Sequence, residues 1–293
     1  MLIDAFLDYL RLERNYSVKT IVSYRTDLLE FEEYFKKVDA ELDFTRVDAG
    51  IVRNWMVNLM DNGRTATTVN RKLSSLRSFY RFLLKRKVVS VDPMVKVVGP
   101  KKKKPLPSFV REKDMDRLLD ESLYDEGFEG CRDRAILEMF YATGMRRSEL
   151  IGLDVADVDL SAKLIKVTGK RNKQRLIPFG DELAEGLLEY IKVRNETLLQ
   201  GTEAFFVLKN GERMYPEAVY RLVRRYLSGV VTLKKRSPHV LRHTFATAML
   251  NGKAELRAVK ELLGHESLAT TEVYTHTTFE ELKKVYEQAH PRA

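Results

Sequence analysis

The chain has 293 residues, 44% of them hydrophobic and 32% charged, with 51 Lys and Arg against 42 Asp and Glu for a formal net charge of +9. That length allows two domains and the apolar share excludes a disordered chain, while the basic balance favours an anionic partner such as nucleic acid. The single cysteine, Cys131, excludes an intramolecular disulfide and a cysteine-cluster zinc site, and fits a reducing cytoplasm.

Residues 3–14 read as a first helix with Ile3, Phe6, Leu7 and Leu10 inward. Asp4, Asp8 and Glu13 interrupt it, so it lacks the basic start and unbroken apolar core of a signal peptide. No run in the chain approaches the ~20 apolar residues of a membrane span. Ser17 is placed to cap a second helix over 18–37, through Tyr24, Leu28, Phe31 and Phe35. Asp48 is placed to cap a third over 49–62, carrying Val52, Trp55, Met56 and Leu59, with Gly63 at its end. In the fourth, Val69, Leu73, Leu76, Tyr80 and Leu83 recur at helical spacing. These connections are short, so residues 1–96 read as a four-helix bundle.

The charge is localised. Residues 1–63 carry −4, residues 64–104 carry +12 with Asp92 as their one acid, and residues 105–293 carry +1. A solvated face normally mixes both signs. A single-sign face on the fourth helix therefore reads as a phosphate-binding surface, with Arg64, Arg71, Lys72, Arg77, Arg81 and Lys85 as candidate DNA contacts. Pro93, Pro100, Pro105 and Pro107 then bar continuous helix. Residues 97–109 read as a basic, Pro-rich linker, in which Lys101, Lys102, Lys103 and Lys104 form a strap suited to DNA.

Residues 110–293 read as a second, larger α+β domain. Segments 111–122 and 131–142 are helical by pattern. The stretch VADVDLSAKLIKV, the turn TGKRNKQ and RLIPF read as strand, basic turn and strand, a small antiparallel hairpin. Helix resumes over 181–199, AFFVL at 204–208 is a candidate short strand, and 216–228, 238–250 and 255–263 are again helical. A last amphipathic helix spans 278–288, with Phe279, Leu282, Val285, Tyr286 and Ala289 as its apolar stripe. The fold class expected is two-domain and mainly α.

No GxxxxGK[ST] or GxGxxG loop is present, so no nucleotide cofactor is expected. His239 and His243 stand four apart on one helix, but HVLRH lacks the acid of HEXXH, and no metal is expected. Phosphodiester transfer without metal needs a nucleophile, cationic donors for the non-bridging oxygens and an acid for the leaving oxygen. Arginine suits those oxygens because its planar fork donates two hydrogen bonds to one phosphate. Candidates stand in ATGMRRSEL (142–150), TGKRNK (168–173), PHVLRH (238–243) and LLGHESLATTEVYTH (262–276).

These four segments, in this order, resemble the tyrosine recombinases (the lambda-integrase family), and most of all their Xer branch. The resemblance spans essentially the whole chain, including SYRTDLLEFEEYF and TVNRKLSSLRSFYRFL, which look like the family's helical core-binding domain. It implies Arg146 as first catalytic arginine, its order T-G-x-R favouring it over Arg147. It implies Lys170 on the hairpin turn, with Lys173 as runner-up, the pair His239 and Arg242, His265, and Tyr274 as nucleophile. Glu149 matches a supporting acidic position.

The activity implied is site-specific cutting and rejoining of double-stranded DNA through a 3′-phosphotyrosyl link. Resolution of chromosome or plasmid multimers is the role expected. A phage or transposon integrase of the same chemistry is one alternative, and a non-catalytic DNA-binding accessory protein is another. The absence of a further N-terminal arm-binding segment favours the Xer branch. Expected partners are the DNA site, a homo-tetramer or a heterotetramer with a second recombinase, and a DNA-translocase regulator, in the cytoplasm at the nucleoid. The last helix is expected to be donated to a neighbouring protomer.

Overall fold

The computed structural model describes residues 2–102, 108–169, 172–198, 201–264 and 279–293. The chain divides into two compact units, residues 1–105 and 106–293.

In the first unit, α1 (Leu2–Asp8) runs into a π-helical turn over Tyr9–Glu13 and is followed by α2 (Val18–Val38), α3 (Ala49–Asp61) and α4 (Ala66–Lys85). The starts of α2, α3 and α4 are set by local chemistry. Ser17, Asp48 and Thr65 each accept a hydrogen bond from the backbone N–H three residues on, satisfying donors the helix cannot. Gly63 closes α3 at a φ of +74°, a conformation glycine adopts without strain. The core is aromatic, with Phe6, Phe31, Phe35, Trp55, Phe79 and Tyr80 all buried. The expected first helix is thus α-helical only to Asp8.

Two further expectations are corrected here. Lys72 does not face outward: it is 4% exposed and its Nζ donates to Asp27 at 3.0 Å and Glu30 at 2.6 Å. Arg71 bonds both oxygens of the buried Asp27, at 2.5 and 2.7 Å, and also Ser23. These charges hold α4 against α2. Residues 93–100 also pack on the bundle. Met94 and Val97 are buried, Asn70 donates to the Pro100 carbonyl at 2.8 Å, and Arg77 to that of Val97 at 3.0 Å.

In the second unit, α5 (Glu112–Leu119) precedes α6 (Phe128–Thr143) and α7 (Arg147–Ile151). Almost every side of α6 is buried, as expected of a central helix. Three strands follow, β1 (Val158–Asp159), β2 (Leu164–Thr168) and β3 (Gln174–Pro178), antiparallel in the order β1-β2-β3. Then come α8 (Asp181–Thr197), α9 (Pro216–Val230), α10 (Pro238–Asn251), α11 (Leu256–Leu263) and α12 (Phe279–Ala289).

The alternating stretch 155–167 is therefore not one strand. A 3₁₀ turn at Val155–Asp157 precedes β1, and Asp159 accepts from the N–H groups of Ser161 and Ala162, forming a turn before β2. AFFVL does not form a strand either. It makes single bridges at Ala204 and Val207, and side chains take over its carbonyls: Arg194 bonds that of Ala204 and Tyr190 that of Phe205.

In the single chain the last helix packs on its own unit. Tyr286 and Ala289 join Phe245, Met249, Val259, Leu262 and Leu263 in one apolar cluster. Gly252 lets the backbone of Ala289 approach so closely that a Cβ there would lie 2.1 Å from its carbonyl oxygen. Leu282 and Val285 pack against the same cluster.

Candidate active site

α6 ends at Gly144, whose φ is +58°. A Cβ at that position would collide with Phe245 and Leu263, so glycine serves both as left-handed cap and as the point where α10 and α11 approach α6. The turn that follows places Arg146 immediately before α7. Its neighbour Arg147 points elsewhere, donating to the Pro216 carbonyl at 3.1 Å.

Glu149 reaches back along α7. Its Oε2 accepts from the Arg146 backbone N–H at 2.8 Å and its Oε1 from the Arg146 guanidinium at 2.7 Å. Sequence reasoning did not single out the third member of this group, Arg175. From β3 it donates to both Glu149 oxygens at 3.0 Å and, through Nε, to the Leu262 carbonyl at 2.8 Å. A signal for it existed: alternation along β3 places Arg175 on the same side as the buried Ile177, and an inward arginine requires partners.

Arg242, on α10, is 8% exposed and donates to the carbonyls of Gly144 and Leu263, each at 2.7 Å. Arg146 donates to the Gly264 carbonyl at 2.8 Å. The end of α11 thus brings Arg146 and Arg242 onto adjacent carbonyls. His239 lies one turn before Arg242, on the exposed side of α10.

The electrostatics follow from this crowding. Burial works to raise the Glu149 pKa, but the hydrogen bonds and charge of Arg175, then the backbone and side-chain hydrogen bonds from Arg146, hold it below the usual carboxylate range. Burial and the nearby Arg146 charge push Arg242 down to about 10, which leaves it cationic at neutral pH. Partial desolvation, then the charges of Arg242, His243, Arg147 and Arg146, hold His239 below the ordinary histidine value. That direction favours the neutral imidazole, the form that can accept a proton.

The backbone N–H of Gly169 bonds the Lys173 carbonyl at 2.7 Å across the β2–β3 turn. Lys170, His265 and Tyr274 lie outside the described residues, as do Lys103 and Lys104. On the first unit, Arg64, Arg71, Arg81, Lys85, Lys101 and Lys102 are exposed, Arg77 is half-buried and Lys72 is buried. No helix among the described residues is long and apolar enough to cross a membrane.

Residues 108–281 match the Phage integrase family, and residues 3–87 the Phage integrase N-terminal SAM-like domain. The tyrosine recombinase XerC of Chlorobaculum tepidum is 41% identical over 98% of this chain and 94% of its own length. The tyrosine recombinase XerD of Oceanobacillus iheyensis is 36% identical over 99% of this chain and 98% of its own. Among solved structures, the XerH site-specific recombinase bound to palindromic difH substrate, a post-cleavage complex, aligns at a TM-score of 0.74. It is 22% identical, covering 96% of this chain and 83% of that one, so it speaks for the fold.

Proposed function

The chain belongs to the phage integrase family and is a site-specific tyrosine recombinase, and on that premise we propose that it resolves chromosome or plasmid multimers at one DNA site. The observation that carries the chemistry is the joining of Arg146 and Arg242 at the end of α11, with His239 one turn before Arg242 on α10. Two guanidinium groups so placed neutralise the charge that grows on the non-bridging oxygens of an attacked phosphate.

In this reading Tyr274 attacks the scissile phosphorus through its phenol oxygen. The new O–P bond makes a 3′-phosphotyrosyl link while the bond to the 5′ oxygen breaks. His239 takes the phenol proton, and Lys170 gives one to the departing 5′ oxygen. His265 donates a hydrogen bond to the phosphate. The covalent link keeps the phosphodiester energy, so attack by a partner strand's 5′-hydroxyl reseals the DNA.

The exposed cations of α4, with Lys101 to Lys104, contact DNA phosphates in this reading. The working assembly on DNA is a tetramer, of this chain alone or with a second recombinase, under a DNA-translocase regulator in the cytoplasm. Similarity to XerC and XerD over nearly the full chain supports this role over that of a phage or transposon integrase.

The test is a nicked suicide substrate that traps the covalent adduct. The wild-type chain gives an SDS-stable, protease-sensitive adduct, and Tyr274→Phe binds the same DNA without forming it. An adduct from the Phe variant rules out Tyr274. A 5′-bridging sulfur, whose departure needs no proton, restores cleavage to Lys170→Ala; rescue of Lys173→Ala instead assigns the acid to Lys173.

A further inference from the structure

Three successive carbonyls at the end of α11 are each taken by a different arginine. Arg175 holds Leu262, Arg242 holds Leu263 and Arg146 holds Gly264. The last carbonyls of a helix have no partner within it, and the negative end of its dipole favours cations. The next residue in sequence is His265.

Arg175 differs from the other two in its second partner. Arg146 and Arg242 bond carbonyls through Nη2, and Arg146 shares Glu149. Arg175 spans both oxygens of that carboxylate, whose side chain is 1% exposed, and is itself 16% exposed. It sits opposite the buried Val167 in the β2–β3 register. Gly264 at φ +62° leaves room for its guanidinium, since a Cβ there would lie 3.0 Å from the Arg175 Nη1.

We propose that Arg175 is a positioning residue for strand cleavage: it balances the Glu149 charge, so that the charge of Arg146 and Arg242 serves the phosphate, and it fixes the end of α11 that leads to His265. The assignment rests on the recombinase reading above. In place of Arg175, a lysine keeps the positive charge but cannot bridge two carboxylate oxygens and a carbonyl together. A glutamine removes the charge. Glu149 is then faced by Arg146 from its own helix and by Arg242 from α10, and their charge is spent on it.

The experiment is single-turnover cleavage of the suicide substrate by the full chain at saturating protein, from pH 5 to 9, with DNA affinity measured in parallel. Arg175→Gln is expected to cleave on the order of 10²-fold more slowly, as for a misplaced catalytic group, with DNA affinity little changed. Loss of the Arg175 charge also raises the Glu149 pKa. Protonation of Glu149 then frees Arg146 and Arg242, so against the wild-type profile the Gln variant's rate gains a rise as pH drops through the Glu149 pKa, and Glu149→Gln added to it removes that rise. Arg175→Lys folds with the native far-UV circular dichroism and stays about 10-fold slow, the loss of a preorganised contact; it carries the test should the Gln variant not fold. A wild-type chain that cleaves while Arg175→Lys matches it in rate and pH profile overturns this assignment alone. A slow variant whose pH profile is unchanged and whose loss follows its unfolded fraction also overturns it. No adduct from the wild-type chain overturns the recombinase reading and this assignment with it.

Discussion

Each unit of the molecule holds a cluster of cations around a buried carboxylate, and the two clusters are balanced differently. In the bundle, Arg71 and Lys72 meet Asp27 and Glu30, two cations on two acids. In the second unit, Arg146, Arg175 and Arg242 stand near one acid, Glu149, and otherwise bond carbonyls. The first cluster is neutral, and its work is to hold α2 to α4. The second carries about two positive charges in excess among the described residues, held in place by neutral groups. Cations fixed by carbonyls keep their charge for a ligand, whereas cations fixed by carboxylates do not.

The largest effect that separates the two is on stability. Asp27→Ala leaves Lys72 buried with Glu30 as its remaining acid, and removing one partner of a buried pair costs about 3–5 kcal/mol. Urea unfolding of the full chain should show that loss in the transition of the bundle. A change below 1 kcal/mol would mean that the Asp27 cluster behaves as a surface pair and the contrast fails.

The same contrast shows how far the sequence could be read. Helix starts at Ser17, Asp48, Pro216 and Pro238 were legible because caps and first-turn prolines act within a few residues. The resemblance named Arg146, Glu149 and Arg242, which the fold brings together. Lys72 was misread although the period held the answer: it stands three after Val69 and four before Leu76, on the apolar stripe itself. Its partner Asp27 lies 45 positions away, beyond the reach of local pattern. Arg175 was hidden for a related reason, since its chain of bonds joins β3 to α7 and α11. AFFVL is apolar enough for a strand, but its backbone is satisfied piecemeal, by scattered backbone groups such as Leu153 and Met214 and by the side chains of Arg194 and Tyr190, not by one neighbouring strand. The α12 stripe was visible, whereas the groove that receives it depends on where α10 and α11 lie.

A smaller effect concerns DNA. Each phosphate contact removed lowers the log–log salt slope of binding by about 0.9. Arg81 and Lys85 are exposed on α4, so changing both to Ala should flatten the slope by nearly two units. Lys72→Met should leave it unchanged, because that charge is already spent on Asp27 and Glu30. A slope altered by Lys72→Met and not by the Arg81 and Lys85 pair would reverse the roles given to the buried and exposed cations.

The smallest effect is on acid stability. Glu149 has a folded pKa below its ordinary value, so it contributes stability above that value, and the contribution is lost as pH falls through the folded pKa. Tm followed from pH 6 to pH 3 should show Glu149→Gln below the wild-type chain at the upper end, with the gap closing towards the lower end. A gap that widens with acid would contradict the ion pairs assigned to Glu149.

The excess charge of the second cluster is tested most directly by removing the charge it serves. A suicide substrate with a methylphosphonate at the scissile position has lost one anionic oxygen, so less charge develops for Arg242 to neutralise. On ordinary DNA, Arg242→Ala should cleave about 10²–10³-fold more slowly than the wild-type chain, as when one preorganised donor is lost. On the methylphosphonate most of that deficit should disappear. An equal deficit on both substrates would show that Arg242 acts only through the carbonyls of Gly144 and Leu263, and that its charge is not what the site offers to DNA.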